Sequence, residues 1–523
     1  MAKILFVNPV VREEDVPRHI PYGIALLAAI AIEKGHLVQI YDANAWRKGF
    51  GVLPDVYLAD DWDVIAIGGL TTTYSFIKEA CRIAKAVVPD TFLVAGGGFL
   101  TSMPQDIMEW IPQIDLGVVG EAFVTWPEVL EKIDGKDMDF SATLGVIHRD
   151  GDGKPVLNNA RPIIRDLDAL PAPAWDLFPL EEVYFKNSAS LFSEDAYRIK
   201  RRIDINASYG CSLICRYCWH LGTTGDMLIE KDGNGNNDVV FTYGRNIRYH
   251  SPDYIIEMVK ALKKNFQIDF VNFLDENLMT MDVASKRTWL KEICEKWIAA
   301  GLQPSSRRPG GKAAAPGEEP GVYWSGTSHA SLHRPEILKL MYEAGCTHLV
   351  YGLESFDPEI LKNLGKGTTA QKNMDSVAEC MRSGIMPIPN IIIGFPEESF
   401  QSVRNTINAL VKLGIHARPH FATAYPGSEW YYTYKESIKE QYDGDLERYV
   451  ADLGDATKIT AVISHNFTGL ELLGLQEIVA QRNLRILEQA ERHWGRPTVT
   501  SIAKPKESFN FRRKKINGPI SDF

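Results

Sequence analysis

Three of the chain's cysteines, Cys211, Cys215 and Cys218, lie in the short segment Cys-Ser-Leu-Ile-Cys-Arg-Tyr-Cys. Only 7 cysteines occur among the 523 residues, so a group of three within one segment argues against chance. Three thiolates can bind three irons of a four-iron cluster and leave the fourth iron open for a substrate, as a catalytic zinc site leaves one position open. The alternative is a structural zinc site, for which His220 offers a fourth ligand.

The spacing CxxxCxxC, with Tyr217 before the last cysteine, resembles that of the radical S-adenosylmethionine (SAM) superfamily. The resemblance implies a [4Fe–4S] cluster bound by Cys211, Cys215 and Cys218. It also implies that the amine and carboxylate of SAM chelate the open iron. An electron from the cluster would then break a carbon–sulfur bond of SAM and give a 5′-deoxyadenosyl radical.

Composition limits the class of protein. A chain of 523 residues is too long for one core and predicts two or three domains. The net charge of -10 argues against nucleic acid as the main partner. Residues 1–9 lack the pattern of a signal peptide, and no run approaches the ~18 apolar residues of a membrane span. Few, unevenly spaced cysteines favour a reducing compartment, so we expect a cytoplasmic protein.

The first ~150 residues alternate apolar, strand-like runs with amphipathic, helix-like runs, which is typical of a parallel sheet wound with helices. Ligands of such sheets bind beyond the carboxyl ends of the strands, where this sequence has turns rich in Gly and Thr. The predicted strands are 3–10, 37–42, 63–69, 91–95 and 116–119, and the predicted helices include 22–34 and 75–88.

Consecutive glycines, Gly96 to Gly98, follow the fourth predicted strand and allow a bulky ligand to approach the backbone. A nicotinamide-binding fold would instead have GxGxxG after the first strand, where residues 8–11 read Asn-Pro-Val-Val. With the cysteine motif downstream, this half resembles the cobalamin-binding domain of B12-dependent radical SAM enzymes. The resemblance implies that the cobalamin-binding residues are Thr71, Thr72, Gly96, Gly97, Gly98, Gly120 and Glu121. The alternative is that these glycines only allow tight turns.

The lower ligand of the cobalt is left open by the sequence. Many cobalamin domains contain Asp-x-His-x-x-Gly, and this chain has no such sequence. His19 follows the first predicted strand, but Pro17 and Tyr22 occupy the positions of the Asp and the Gly. The candidates are therefore His19, Tyr22, water or no ligand.

The second half again alternates strands and helices, with predicted strands at 203–207, 270–274, 323–328, 349–353 and 386–393. Each strand ends in polar residues, where barrel enzymes place their sites. The layout resembles the partial (β/α)6 barrel of radical SAM proteins. The resemblance implies that SAM is bound by Tyr217, Asp275, Glu276, Asn277, Glu354, Ile391 and Gly394.

Within that set, Asp275, Glu276 and Asn277 would contact the SAM amine, because a carboxylate or amide is a suitable partner for an ammonium group. Glu354 would lie near the ribose or the methionine part, and Ile391, Gly394 and Tyr217 near the adenine. One departure is Asn390, where the superfamily often has glycine. The alternative for each polar residue is a helix cap or a strand-end hydrogen bond.

The sequence thus predicts a cobalamin-binding domain at 1–150, a proline-rich strap at 151–200 and a radical SAM barrel at 201–424. Residues 303–321 form a predicted loop insertion, and 425–523 a helical region with a basic tail. The remaining cysteines, Cys81, Cys294, Cys346 and Cys380, are scattered without CxxC pairs, so no second cluster is expected.

Both resemblances together imply a cobalamin-dependent radical SAM methyltransferase that acts on an unactivated carbon of a small metabolite or a protein side chain. The 5′-deoxyadenosyl radical would remove a hydrogen, and methylcobalamin would supply the methyl group. The alternatives are a non-methylating relative, such as an oxidative cyclase or a ring-rearranging enzyme, and a cofactor-binding sensor. The expected electron donor is an external protein such as a flavodoxin or ferredoxin.

Overall fold

The computed structural model describes residues 1–188, 199–213, 215–219, 227–231, 235, 237–241, 246–308 and 321–494. The contacts of the chain divide it into two compact units. The N-terminal unit contains Met1–Ser188, Trp219–Arg248 and Val450–Leu453, and the C-terminal unit contains the rest. Residues 219–248, which lie inside the predicted barrel range of 201–424, group with the N-terminal unit by contacts. The domain limits given above otherwise stay a prediction.

The N-terminal unit is built on a seven-stranded sheet with the order β2-β1-β3-β4-β5-β6-β7. The strands are β1 (Lys3–Asn8), β2 (Leu37–Asp42), β3 (Val64–Gly68), β4 (Phe92–Gly96), β5 (Leu116–Val118), β6 (Val146–Arg149) and β7 (Pro155–Leu157). The first five strands are parallel, as the alternating pattern predicts, and β6 and β7 extend the sheet in antiparallel fashion. Strand β1 ends two residues before the predicted limit because Pro9 has no N–H for a ladder hydrogen bond.

Helices connect these parallel strands along the chain. Strand β1 is buried along almost its whole length, and its centre, Ile4 to Val7, is continuously apolar. The helices are α1 (Tyr22–Glu33), α2 (Ala43–Trp46), α3 (Leu53–Tyr57), α4 (Tyr74–Val87), α5 (Gly98–Ser102), α6 (Pro104–Trp110) and α7 (Thr125–Asp134). The predicted strap packs on this unit through Trp175, whose ring lies 6.4 Å from that of Tyr22. An antiparallel pair of strands, Met227–Lys231 and Asn237–Phe241, also belongs to the unit.

The C-terminal unit contains a six-stranded parallel sheet in which the strands are neighbours in chain order. The strands are β8 (Arg202–Ile205), β9 (Phe270–Phe273), β10 (Tyr323–Ser328), β11 (Cys346–Glu354), β12 (Met386–Ile393) and β13 (His420–Phe421). Every pair is parallel, and β8 and β13 are the two edges, so the barrel is partial. The predicted partial barrel of six strands is confirmed. The sequence pattern gave the positions of five strands, and the structure adds the sixth, β13.

The helices from Pro252 onward connect and cover these strands. They are α8 (Pro252–Phe266), α9 (Met279–Ala284), α10 (Trp289–Ala299), α11 (Pro335–Glu343), α12 (Pro358–Asn363), α13 (Ala370–Arg382), α14 (Phe400–Leu413), α15 (Glu429–Gln441), α16 (Leu446–Ala451), α17 (Gly469–Ala480) and α18 (Leu484–His493). The predicted amphipathic stretch 469–494 is two helices, because Arg482 between them has a left-handed φ of 53°.

Some of the predicted features lie partly or wholly outside the described residues. In the predicted insertion, residues 309–320 lie outside them, and Arg307 packs over the ring of Tyr342 at 3.8 Å. The predicted basic tail also lies beyond the described part of the chain, which ends at Trp494. Within the described part, no helix has the length and apolar character needed to cross a membrane.

Candidate cofactor sites

A cavity of about 530 Å³ lies at the carboxyl ends of the parallel strands in the N-terminal unit. The turns after β3 and β4 contribute Gly68, Gly69, Gly96, Gly97 and Gly98 to its wall. Ligands of such sheets bind beyond the carboxyl ends of the strands, where both of these turns lie. The cavity therefore forms where the sequence predicted a cofactor, and its wall includes all three predicted glycines of the second turn.

The two glycine turns touch each other through their backbones. A Cβ atom on Gly68 would lie 2.6 Å from the carbonyl oxygen of Gly96. A Cβ on Gly97, which has a φ of 93°, would lie 2.8 Å from the carbonyl oxygen of Gly69. Close packing of the turns is thus one reason for these glycines. At Gly98 the neighbour is instead the ring of Trp219, 3.0 Å from the Cβ position.

The other predicted cobalamin residues do not line this cavity. Thr71 is buried, and Thr73, which the sequence reasoning passed over, faces the cavity from the same hydroxyl-rich turn as Thr72. Gly120 packs under Met227, whose Cε lies 2.9 Å from its Cβ position. Glu121 pairs with Arg248 at 2.6 Å. The binding roles of Thr71, Thr72, Gly120 and Glu121 stay predictions.

The two residues proposed as lower ligands of the cobalt, His19 and Tyr22, differ in their position relative to the cavity. His19 lines the cavity together with Arg12, Asp15 and Arg18. Tyr22 is buried at the start of α1 against Trp175 and is not part of the wall. The structure therefore places His19, but not Tyr22, where a ligand of the cavity could meet it.

In the C-terminal unit the three cysteines follow strand β8. The entrance to their loop is held by the buried carboxylate of Asp275, which accepts hydrogen bonds from the Ala207 backbone N–H at 3.1 Å and the Ser208 hydroxyl at 2.5 Å. Burial raises the pKa of Asp275 to about 6, and these hydrogen bonds oppose the rise. Asp275 thus orders the chain just before the cysteines, and its predicted contact with SAM stays a prediction.

The cysteine thiols are largely enclosed. Burial raises the pKa of Cys211 to about 12 and of Cys215 to about 11. Thiols of this kind lose their protons when they bind a metal, whose charge compensates for the burial. Among the described residues, no three His, Cys, Asp or Glu side chains converge as ligands of a single metal ion. A cluster spreads its thiolates over separate irons, so it does not require that convergence. His220, the alternative zinc ligand, lies outside the described residues.

A hydrogen-bonded cluster of Tyr217, Glu354 and Lys366 lies next to the cysteine loop. The Tyr217 hydroxyl donates to Glu354 Oε1 at 2.8 Å, and Lys366 Nζ donates to both partners at 2.9 and 2.8 Å. Glu354 ends β11 with a left-handed φ of 59°, which marks the strand end as strained. Sequence reasoning missed Lys366, although a glycine on each side of it indicates a turn with left-handed backbone angles.

The remaining predicted SAM residues lie at other strand ends of the same sheet. Glu276 is exposed and interacts electrostatically with Cys211. Asn277 is buried, and its Nδ2 has no hydrogen-bond partner among the described residues. Ile391 is buried in β12, and Gly394 follows that strand with a φ of 85°. These positions are compatible with the predicted SAM contacts, which no bound ligand tests.

One more buried group at this edge escaped the sequence reasoning. His329 follows β10, and its Nδ1 accepts a hydrogen bond from the Ser331 backbone N–H at 3.1 Å. Burial and, to a smaller extent, the charge of Lys366 together lower the pKa of His329 to about 3. The imidazole is therefore neutral and carries its proton on Nε2, which has no partner in the described part of the chain.

Comparisons with known proteins match a family to each half of the chain. Residues 205–410 match the radical SAM superfamily, and residues 9–130 match the B12 binding domain. An uncharacterized methyltransferase of Pyrococcus horikoshii is 27% identical over 84% of this chain and 84% of its own. An anaerobic magnesium-protoporphyrin IX monomethyl ester cyclase of Rubrivivax gelatinosus is 23% identical over 66% of this chain and 53% of its own.

Among solved structures, the fold is similar to that of the radical SAM methyltransferase TsrM from Kitasatospora setae, whose structure contains cobalamin and a [4Fe–4S] cluster. The TM-score is 0.60 at 17% identity, over 84% of this chain and 76% of TsrM. A B12-binding domain followed by a radical SAM domain defines an enzyme that uses a [4Fe–4S] cluster, SAM and cobalamin. The chain belongs to the cobalamin-dependent radical SAM proteins and is methyltransferase-like. The predicted family and cofactors are thereby confirmed.

Proposed function

We propose that the protein is a cobalamin-dependent methyltransferase that transfers a methyl group to an unactivated carbon. The observation that carries the proposal is the pairing of two sites in one chain: a glycine-walled cavity at the end of the first sheet and a three-cysteine loop on the second. The similarity to a methyltransferase over 84% of both chains supports the transfer of a methyl group.

In this proposal Cys211, Cys215 and Cys218 bind the cluster, and Asp275 orders the backbone before them. When bound, the cofactors supply the radical and the methyl group, while the protein binds, orients and excludes water. The exposed carboxylate of Glu276 is proposed to contact the SAM amine. Asn277 adds a buried amide whose Nδ2 is a donor, so it suits a ligand oxygen better than an ammonium group.

The adenine and ribose of SAM are assigned to the other strand ends. Tyr217 is held by Glu354 and Lys366, so its ring has a fixed orientation beside the cysteines. Ile391 and Gly394 form the backbone turn proposed for the adenine. Tyr217 and the ring of Trp430, whose centroids are 5.6 Å apart, provide an aromatic surface there.

The N-terminal cavity is proposed to take the nucleotide end of cobalamin. Its wall is largely apolar and includes glycine backbone and the rings of Phe6 and Trp126, so it suits a flat heteroaromatic group. Of the predicted cobalamin residues, Gly96, Gly97 and Gly98 are the best supported, because they form part of the wall. We further propose a small-molecule or protein side-chain substrate, a flavodoxin or ferredoxin as electron donor, and a cytoplasmic location.

The cysteine assignment is tested by the variant Cys215→Ala after anaerobic reconstitution with iron and sulfide. We expect loss of the cluster absorbance and of bound iron, because one of three ligands is removed. Cys294→Ala is the matched control, since Cys294 is a buried cysteine of α10 outside the loop. A C215A protein with the same iron content and absorbance as C294A would contradict the assignment.

The reaction is tested by product analysis with SAM, cobalamin and candidate substrates. A methyltransferase of this type releases both 5′-deoxyadenosine and S-adenosylhomocysteine, because SAM also donates the methyl group. The alternative function, oxidative cyclisation, is favoured by the similarity to the magnesium-protoporphyrin cyclase and predicts no S-adenosylhomocysteine. Turnover that gives 5′-deoxyadenosine but no methylated product would therefore replace our proposal with the cyclase.

A further inference from the structure

A buried cation lies beside the cysteine loop. The side chain of Lys366 is only 4% exposed and forms an ion pair with Glu354, which is 6% exposed. Burial alone would lower the pKa of a lysine, yet the pKa of Lys366 is raised, chiefly because the negative charge of Glu354 favours the charged form of the lysine. Lys366 thus keeps its positive charge in a site that excludes water.

The backbone turn that contains Lys366 fixes the position of its side chain. Gly365 and Gly367 flank Lys366 with left-handed φ values of 68° and 67°, which form a tight turn after α12. The turn is tied to the cysteine loop because the backbone N–H of Arg216 donates to the carbonyl of Leu364 at 3.1 Å. The position of the lysine and the position of the loop are therefore coupled.

The strand beside the lysine leaves room for the ion pair. A Cβ atom on Gly352 would lie 2.9 Å from Lys366 Nζ and 2.6 Å from Glu354 Oε1. Any side chain larger than glycine would displace one of the two charged groups. The ion pair is thus enclosed by backbone on the β11 side and by the Tyr217 ring, whose hydroxyl bonds both members.

Hydrogen bonds place both charges beside the cysteines. Lys366 Nζ donates at 2.9 Å to the hydroxyl of Tyr217, the residue directly before Cys218 in the loop. The same hydroxyl donates to Glu354 Oε1 at 2.8 Å, so the negative member of the ion pair lies beside the loop as well. Since charges interact more strongly in a buried site than in water, the two members of this ion pair have opposite effects on any negative charge that gathers at the cysteines.

We infer that Lys366 tunes the reduction potential of the cluster held by the cysteine loop, with Glu354 as the opposing charge. The inference rests on the proposed cluster assignment. Reduction adds one electron, from a donor protein or from dithionite, to a cluster whose three thiolates are already negative. Nearby charge and hydrogen bonds set the potential of such clusters. A fixed positive charge stabilises the reduced form and raises the potential, which makes reduction by the donor easier.

The test compares the variants K366M, E354Q and the double variant K366M/E354Q with the wild type. Each is reconstituted anaerobically without SAM, and the cluster is titrated with dithionite and mediator dyes while its paramagnetic resonance signal is recorded. We expect a lower potential in K366M and a higher one in E354Q. In each single variant the ratio of reduced to oxidised cluster at a fixed potential should change about tenfold, which is about 59 mV for one electron. The double variant should return close to the wild type.

Lys339 on α11 is the matched control, because its side chain is 86% exposed. K339M removes the same net charge from the protein and should leave the potential unchanged. If K366M fails to hold a cluster, E354Q decides alone: a raised potential supports the inference, and an unchanged one overturns it.

The outcomes also separate this inference from the cluster assignment. Suppose that K366M and E354Q both keep the iron content of the wild type. If both then shift the reduction potential in one common direction, or leave it unchanged, the role of Lys366 is overturned and the cluster assignment stays intact. A wild-type protein that takes up no cluster overturns both.

Discussion

Replacing Glu398 with glutamine is expected to stabilise the C-terminal unit at and above neutral pH. Glu398 is 2% exposed, and its carboxylate accepts hydrogen bonds from the Gly394 backbone N–H at 3.2 Å and from the Ser402 hydroxyl. Burial raises the pKa of Glu398 to about 7, the charge of Asp357 adds to the rise, and the hydrogen bonds oppose it. The folded protein therefore holds this proton more tightly than the unfolded chain.

The size of the effect follows from the difference between the two pKa values. A rise from the ordinary value of 4.5 to about 7 corresponds to about 3 kcal/mol, at about 1.36 kcal/mol for each pKa unit. Because the pKa is raised in the folded state, this contribution to stability is fully present below pH ~4.5. It is lost as the pH rises to ~7, and stays lost above that.

Glutamine suits the site because each of its polar atoms finds a partner. Its carbonyl oxygen can accept the hydrogen bond from the Gly394 N–H, and its amide can donate to the Ser402 oxygen. The Ser402 hydroxyl proton then goes to the carbonyl oxygen of Ser399, which lies 2.8 Å away. These contacts pair one of the two amide hydrogens and the carbonyl oxygen, and the substitution removes the cost of burying a charge, which is the part of the stability that depends on pH.

The assay is urea unfolding of wild type and E398Q under anaerobic conditions, followed by fluorescence over a range of pH. Above pH ~7 the free energy of unfolding of E398Q should exceed that of the wild type by about 3 kcal/mol, and the difference should shrink towards pH ~4.5. The neighbouring Glu397 is exposed, so E397Q is the matched control and should show no such trend. A difference that does not vary with pH, or a destabilised E398Q at high pH, would refute the reasoning.

Two further substitutions test the backbone at the two sites. Gly97→Ala should destabilise the N-terminal unit by about 1–3 kcal/mol and weaken cobalamin uptake in equilibrium dialysis, because its Cβ would meet the carbonyl of Gly69 at 2.8 Å with a φ of 93°. Gly51→Ala, which meets nothing within 4 Å, is the control, and equal behaviour of the two would contradict the argument. Asp275→Ala leaves two buried donors, the Ala207 N–H and the Ser208 hydroxyl, without an acceptor. It should lower the free energy of unfolding by about 1–3 kcal/mol for each donor and lower the iron content after reconstitution. Unchanged iron binding relative to Asp375→Ala, on an exposed face of α13, would show that Asp275 does not order the cysteine loop.

Much of the fold was predictable because its signals are local. The strands 323–328 and 386–393 were predicted with the limits that the structure has. The antiparallel strands β6 and β7 and the short strand β13 were not predicted. They have only two to four residues each, which is too short for a recognisable pattern.

The candidate site was predictable only in part. The type and spacing of Cys211, Cys215 and Cys218 indicate their chemistry directly, because all three ligands lie in one loop. Asp275 follows a strand, as the sequence predicts, but the partners seen in the structure are Ala207 and Ser208, 68 and 67 residues earlier, and its contact with SAM stays a prediction. The sequence shows that a carboxylate follows this strand. It does not show which hydrogen-bond donors the carboxylate contacts in the folded protein.

The amino-acid sequence by itself determined the two parallel sheets, the cysteine loop and the glycine turns, because periodicity and spacing are properties of neighbouring residues. Only the tertiary structure decided which polar groups are buried and what they contact. Lys366 is the clearest case: it lies 149 residues from Tyr217 in the sequence, yet folding buries it against Tyr217 and Glu354. Burial is what gives its charge an influence on the cysteines, since the interaction of charges depends on the exclusion of water by the whole fold.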